Sequence, residues 1–238
     1  MSATPIPAQP EAPWKAGLRG ARANIVPGIA LQVFALSLVL AYYWHAPTRE
    51  AFTRLTEFRA STGLLYGIVA TAVFGGLLPA LYLKLIPSTR ARYTVAQSLA
   101  LVIFWAYKGF EVDLWYRVLA ATVGEGTDAG SVLLKMFLDQ FVYCPIWAVP
   151  SLWFYFAWME RGFKLAPVLA DIRRPGWYLR SVLPLLISNL GVWVPAVCII
   201  YSLPTALQLP LFNLVLCFYT LLVAHLSRHT PAQPGLVE

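Results

Sequence analysis

The chain has 238 residues, of which 59% are hydrophobic and only 12% charged, and its net charge is +7. Soluble domains carry about 25% charged residues, and the few charges here could not cover a water-facing surface, which excludes a soluble globular protein. The basic residues cluster in the loops between apolar runs, so membrane topology and anionic lipid account for the positive charge, and nucleic acid is not an expected partner.

Residues 1–24 are rich in Pro and Ala, with Lys15, Arg19 and Arg22 near the end. They lack an apolar signal core, and Glu11 and the prolines fit a mitochondrial transit peptide poorly. The expectation is a disordered tail leading into an uncleaved first span. Six apolar segments follow that match the roughly 20 residues needed to cross a hydrocarbon core. They are A (25–44), B (63–86), C (94–119), D (132–158), E (182–201) and F (207–226). The predicted class is all-α, a polytopic transmembrane bundle over 25–228, with a C-terminal tail over 229–238. E and F are parted only by a short stretch containing Pro204, which leaves open whether they are one helix or two. Cys144, Cys198 and Cys217 lie inside apolar runs and form no C-x-x-C pair, so they read as small core residues.

With the N-terminus inside, twelve Lys and Arg residues fall on the inner side, three (Arg49, Arg54, Arg59) on the outer side, and three within C and D. This bias predicts both termini on a cytoplasmic or matrix-like side. Tyr42, Tyr43 and Trp44 end A, and Trp115 and Tyr116 lie near the outer end of C, where an interfacial aromatic belt belongs. No internal repeat supports an inverted-repeat transporter.

Helix B carries Gly63, Gly67, Thr71, Gly75 and Pro79 at every fourth position. That spacing puts them on one face, where small residues let a neighbouring backbone approach. The alternative is a hinge or unwound stretch at Gly75, Gly76 and Pro79 lining a cavity. The charge set in C and D is the candidate functional site: Lys108, Glu111, Asp113 and Arg117 on C, and Lys135, Asp139 and Gln140 on D. The charges sum to zero, and Lys108–Glu111, Asp113–Arg117 and Lys135–Asp139 are three or four residues apart, close enough to pair along one helix. Depth also predicts pairing between helices. At 1.5 Å per residue, Lys108 and Asp139 each lie about 12 Å below the outer interface. The predicted clamps are Lys108 with Asp139, and Lys135 with Glu111 or Asp113. Such residues either line a polar pathway or form a neutral network that holds the bundle. Pro145 and Pro150 would bend D and free carbonyls.

Enzyme signatures (G-x-S-x-G, H-E-x-x-H, a Walker loop) are missing, and neither enzymatic activity nor a cofactor is expected. Gly124, Gly126 and Gly130 follow no strand and read as a linker. His225 and His229 are four apart but lack further ligands, so no metal site is assigned. His45 reads as an interfacial residue.

At C and D the sequence resembles the Mpv-seventeen / twenty-two-kilodalton peroxisomal membrane protein family. The family pattern G-P-x-x-H-x-W-Y-x-x-L is matched by Gly109, Trp115, Tyr116 and Leu119, with Phe110 and Asp113 in place of its Pro and His. Its K-x-x-x-D-Q-x-x-x-x-P is matched by Lys135, Asp139, Gln140 and Pro145. A C-terminal signature is similar at Pro204, Asn213 and Phe218-Tyr219, with Gln208 at the family Arg. The resemblance spans roughly 63–228 and makes A an N-terminal addition. It implies a small multi-spanning protein acting as a channel or a modulator of membrane permeability. The expected function is therefore a channel or permeability modulator with a polar pathway lined by C and D. The alternative is a structural or interaction protein whose charges only hold the helices together. Membrane lipid is the expected partner, with a homo-oligomer left open. A bacterial inner membrane is the favoured location, with a mitochondrial inner membrane or other organelle membrane as alternative.

Overall fold

The structure, a computed structural model, describes residues 12–87, 89–91 and 93–226. Arg92, Arg228, His229, residues 1–11 and the tail over 229–238 lie outside the described residues, as does the side chain of His225. Every regular element described is a helix: α1 (Pro13–Ala23), α2 (Ile25–Trp44), α3 (Ala46–Thr62), α4 (Leu64–Leu85), α5 (Val95–Val123), α6 (Ala129–Glu160), α7 (Leu165–Ile172), α8 (Tyr178–Tyr201) and α9 (Thr205–Leu226). The chain divides into two compact units. The larger holds Val26–Val142 and the described residues from Trp193 onward; the smaller holds Tyr143–Val192 and the described residues up to Ile25.

Five helices, α2, α4, α6, α8 and α9, are long and apolar enough to cross a membrane. The sixth expected span, α5, has 29 residues, about 44 Å of helix, but Lys108, Glu111, Asp113 and Arg117 set its composition apart from the other five. Large apolar side chains face outward along these helices: Val26 is 71% exposed, Val95 79% and Ile146 71%. In water such a surface would aggregate, whereas hydrocarbon solvates it. The chain is an integral membrane protein of the helical type.

Three stretches expected to be irregular are helical, the third being α7 in the loop between D and E. Residues 13–23, assigned to the disordered tail, form α1. Pro13 at its first position presets the helical φ. Contacts within the smaller unit hold it: a Cβ on Gly17 would lie 2.8 Å from Ile187 Cβ, and Asn24 donates to the Ser188 hydroxyl at 3.0 Å. Composition suggested a tail because it contains no information about this partner surface on α8. The loop expected between A and B is α3, which begins with His45 as N-cap and Pro47 in its first turn. Arg49 closes the A–B corner by donating to the carbonyls of Tyr42 and Tyr43.

The small-residue stripe on α4 packs as expected, with one exception. A Cβ on Gly67 would sit 2.9 Å from the Gly109 carbonyl oxygen, and one on Gly109 would sit 2.0 Å from that of Gly67. The backbones of α4 and α5 therefore touch, as small residues permit. Gly75 lies under Trp105 and Leu216, Gly76 against the Val102 backbone, and Thr71 and Pro79 are buried. Gly63 is the exception. Nothing lies within 4 Å of a Cβ placed there, and its φ of +59° ends α3 and starts α4. It is a corner, not a packing residue. Gly75 and Gly76 lie in a π-helical turn, Ala72–Leu77. The helix widens there without unwinding.

Helix α5 starts with a capping box, Thr94 and Gln97 exchanging side-chain and backbone hydrogen bonds. Asp128 caps α6, accepting from the amides of Gly130 and Ser131, each at 3.1 Å, and from the Ser131 hydroxyl at 2.6 Å. These hydrogen bonds, that of the Ser131 hydroxyl first, hold the Asp128 carboxyl below its ordinary pKa. The cap is therefore fully present above the unfolded-state pKa of about 3.9 and is lost as pH falls through the lower folded value. Asp128→Ala is expected to speed amide exchange at Gly130 and Ser131 at neutral pH. In the wild type, the protection of these amides relative to their intrinsic exchange rate should fall only on acidification through that lower value.

Helix α6 runs in π register over Leu138–Ala148, around Pro145. In that register the Pro145 carbonyl would bond residue 150, a proline without an N–H. The Tyr178 hydroxyl donates to it instead, at 2.8 Å. E and F are separate helices: α8 ends at Tyr201 and α9 begins at Thr205, just after the exposed Pro204.

Candidate functional site

The larger unit gathers a set of buried polar side chains from α3, α4, α5, α6 and α9. Exposure is 0% for Asp113, 1% for Lys135 and for Asn213, and 9% or less for Arg59, Lys108, Glu111, Asp139, Gln140 and Gln208. Of the charged residues predicted for the site, Arg117 alone reaches outward, its side chain 51% exposed.

The partners differ from those expected between C and D. Lys108 binds Glu111 on its own helix at 2.7 Å, with its ammonium 5.8 Å from the Phe104 ring centre. Asp113 binds Arg59 at 2.6 Å and Arg117 at 3.4 Å. Lys135 donates to the Gly126 carbonyl in the α5–α6 loop at 3.0 Å. Asp139 accepts from the Trp115 indole at 2.9 Å and from Gln140 at 3.0 Å. The helices are neighbours as expected, but the Trp115–Asp139 hydrogen bond joins them, not Lys108–Asp139. Local pairing holds for Lys108 with Glu111, three residues apart on one helix, whereas Lys135 and Asp139, four apart and also expected to pair, take these other partners instead.

Arg59 was not among the predicted site residues. One guanidinium nitrogen reaches Asp113, and the other donates to the carbonyls of Thr205 at 3.1 Å and Ala206 at 2.7 Å. The second acceptor has a covalent cause. Pro210 lies inside α9 and has no N–H to return to the residue four before it, Ala206. Arg59 thus supplies the donor that Pro210 removes, while neutralising Asp113. The guanidinium fork makes both contacts from one side chain. The available signal was a third arginine in the outer loop and a proline in the last span.

Of the residues that carried the resemblance, all but Pro145 lie in the larger unit. Gly109 meets Gly67, Trp115 meets Asp139, and Tyr116, 3% exposed, packs edge-on against Tyr201 with ring centres 5.5 Å apart. Asn213 accepts from the Thr71 hydroxyl at 2.7 Å, tying α9 to α4. Gln208 donates to the Leu203 carbonyl at 3.0 Å and so bridges the α8–α9 turn. Among the described residues no group of three or more His, Cys, Asp or Glu is placed to hold a metal. The three cysteines are free thiols.

No family model, no curated protein and no solved structure matches this chain.

Proposed function

We propose that this protein acts as a structural or interaction component of its membrane, with its intramembrane charges serving to lock the helices of the larger unit. The observation that carries this reading is the Arg59–Asp113 pair. Its N–O distance is 2.6 Å, its side chains are 9% and 0% exposed, and the same arginine satisfies two carbonyls of α9. Charges committed in this way are withdrawn from any aqueous route. Taking one partner away from such a pair is far more harmful than replacing both.

A second reading, a channel or permeability modulator, is favoured by the family resemblance and by Asp139. Its carboxyl is buried within a membrane-crossing helix and held by neutral donors, Trp115 and Gln140. Ionisable groups at such depth are functional by default. Reconstitution in planar bilayers separates the two. The structural reading expects well-folded protein to leave the bilayer sealed. Ion conductance that changes in Asp139→Asn or Glu111→Gln would overturn it. The proposed setting is a bacterial inner membrane.

A further inference from the structure

An apolar groove of about 480 Å³ runs along the larger unit between α3, α4 and α9. Helix α3 contributes Leu55 and Phe58, α4 contributes Val69 and Val73, and α9 contributes Pro210 and Leu214. The groove follows from features already described. Gly63 turns α3 away from α4, Ala70 is a small residue in the wall, and Pro210 has a ring where a longer side chain would fill the space.

We infer that this groove binds one acyl chain of a membrane phospholipid. The inference rests on the membrane assignment and is independent of the proposed function. Three observations select the occupant. First, the medium at its mouth is hydrocarbon. Helices α4 and α9 are both long and apolar enough to cross a membrane, and the rim residues Phe58, Leu65 and Val69 are 58%, 59% and 52% exposed. Second, the lining offers a polar ligand little to hold. The Thr62 hydroxyl, one of the few polar groups in the wall, already donates to the Phe58 carbonyl at 2.8 Å.

Third, the dimensions suit a hydrocarbon tail. From Leu65 to Phe74 the groove follows α4 for about 14 Å. A polymethylene chain of that length, with carbon contacts at about 4 Å, fills roughly 200–300 Å³, and a volume of about 480 Å³ keeps space for bent conformers. Apolar clefts that bury most of a ligand's surface retain it, whereas a flat lipid-facing surface exchanges freely.

The test is native mass spectrometry of the full chain, released from detergent micelles supplied with dioleoyl phosphatidylcholine. The wild type should retain one phospholipid. Ala70→Phe, which fills the groove, should lower the retained fraction at least fivefold. Val33→Phe should leave it unchanged, because Val33 is 64% exposed on α2 and does not line the groove. Val69→Trp, at the exposed rim, serves if Ala70→Phe loses helix content by circular dichroism, and the same fivefold loss is expected. Equal retention in a folded groove variant overturns the inference. So does a wild-type dimer that becomes monomeric in Ala70→Phe, which would make a second copy the occupant.

Discussion

Arg59→Met is expected to lower the stability of the protein by roughly 3–5 kcal/mol, the range for breaking a buried ion pair from one side. The substitution keeps much of the side-chain volume and removes every hydrogen bond. Asp113, 0% exposed, then keeps only Arg117 at 3.4 Å, whose side chain is half in the surrounding medium. The Ala206 carbonyl, already without a helical partner because of Pro210, becomes an orphan acceptor near the start of α9. Reversible unfolding in mixed micelles measures the loss. Arg59→Lys should recover only a minor part, because one ammonium cannot span Asp113 and two carbonyls. The double variant Arg59→Met/Asp113→Asn should be less damaged than the sum of its singles, with a coupling of about 1–3 kcal/mol. Additive singles, or a loss below about 1 kcal/mol in Arg59→Met, would remove the pair from its central place in the proposed function.

The second large effect is expected at Gly109→Ala. The added Cβ would lie 2.0 Å from the Gly67 carbonyl oxygen, 2.7 Å from its carbon and 2.8 Å from Thr71 Cβ. Two of these obstacles are backbone atoms, and the third belongs to the side chain that donates to Asn213. No rotamer change relieves the clash, so α4 and α5 must separate. The loss should reach the upper end of overpacking penalties, about 3 kcal/mol, or prevent assembly. Gly63→Ala is the control. Space is open there, and the penalty comes from a positive φ with an extended ψ that side-chain-bearing residues rarely adopt, about 1–3 kcal/mol. The monodisperse fraction on size exclusion and the unfolding midpoint should rank wild type, then Gly63→Ala, then Gly109→Ala. The reverse order would mean that the α4–α5 backbone contact does not hold the unit together.

These two positions differ in how far they could be read from the chain. Gly67 and Gly109 lie at identifiable places, one in a four-residue stripe and one in the family pattern, and close approach is what glycine permits. That they meet each other is visible only in the fold. Gly63 belongs to the same stripe by spacing, yet it serves as a corner, because α3 occupies the stretch expected to be a loop. Thr94 with Gln97 and Asp128 with Ser131 begin their helices by contacts within three residues.

The amino-acid sequence by itself determined what depends on local or summed properties. These are the membrane class and the all-helical fold, from long apolar runs and scarce charge, and the ion pair between Lys108 and Glu111, from helical spacing. The tertiary structure alone decided what depends on distant partners. Arg59 finds Asp113 54 residues away and the carbonyls of Thr205 and Ala206 146 and 147 residues away. Asp139 meets an indole from the preceding helix, and α1 forms on contacts with α8. The reason is physical. A buried charge must be neutralised by whatever the fold brings within about 3 Å, and helical periodicity specifies which face a residue occupies, not which helix that face will meet.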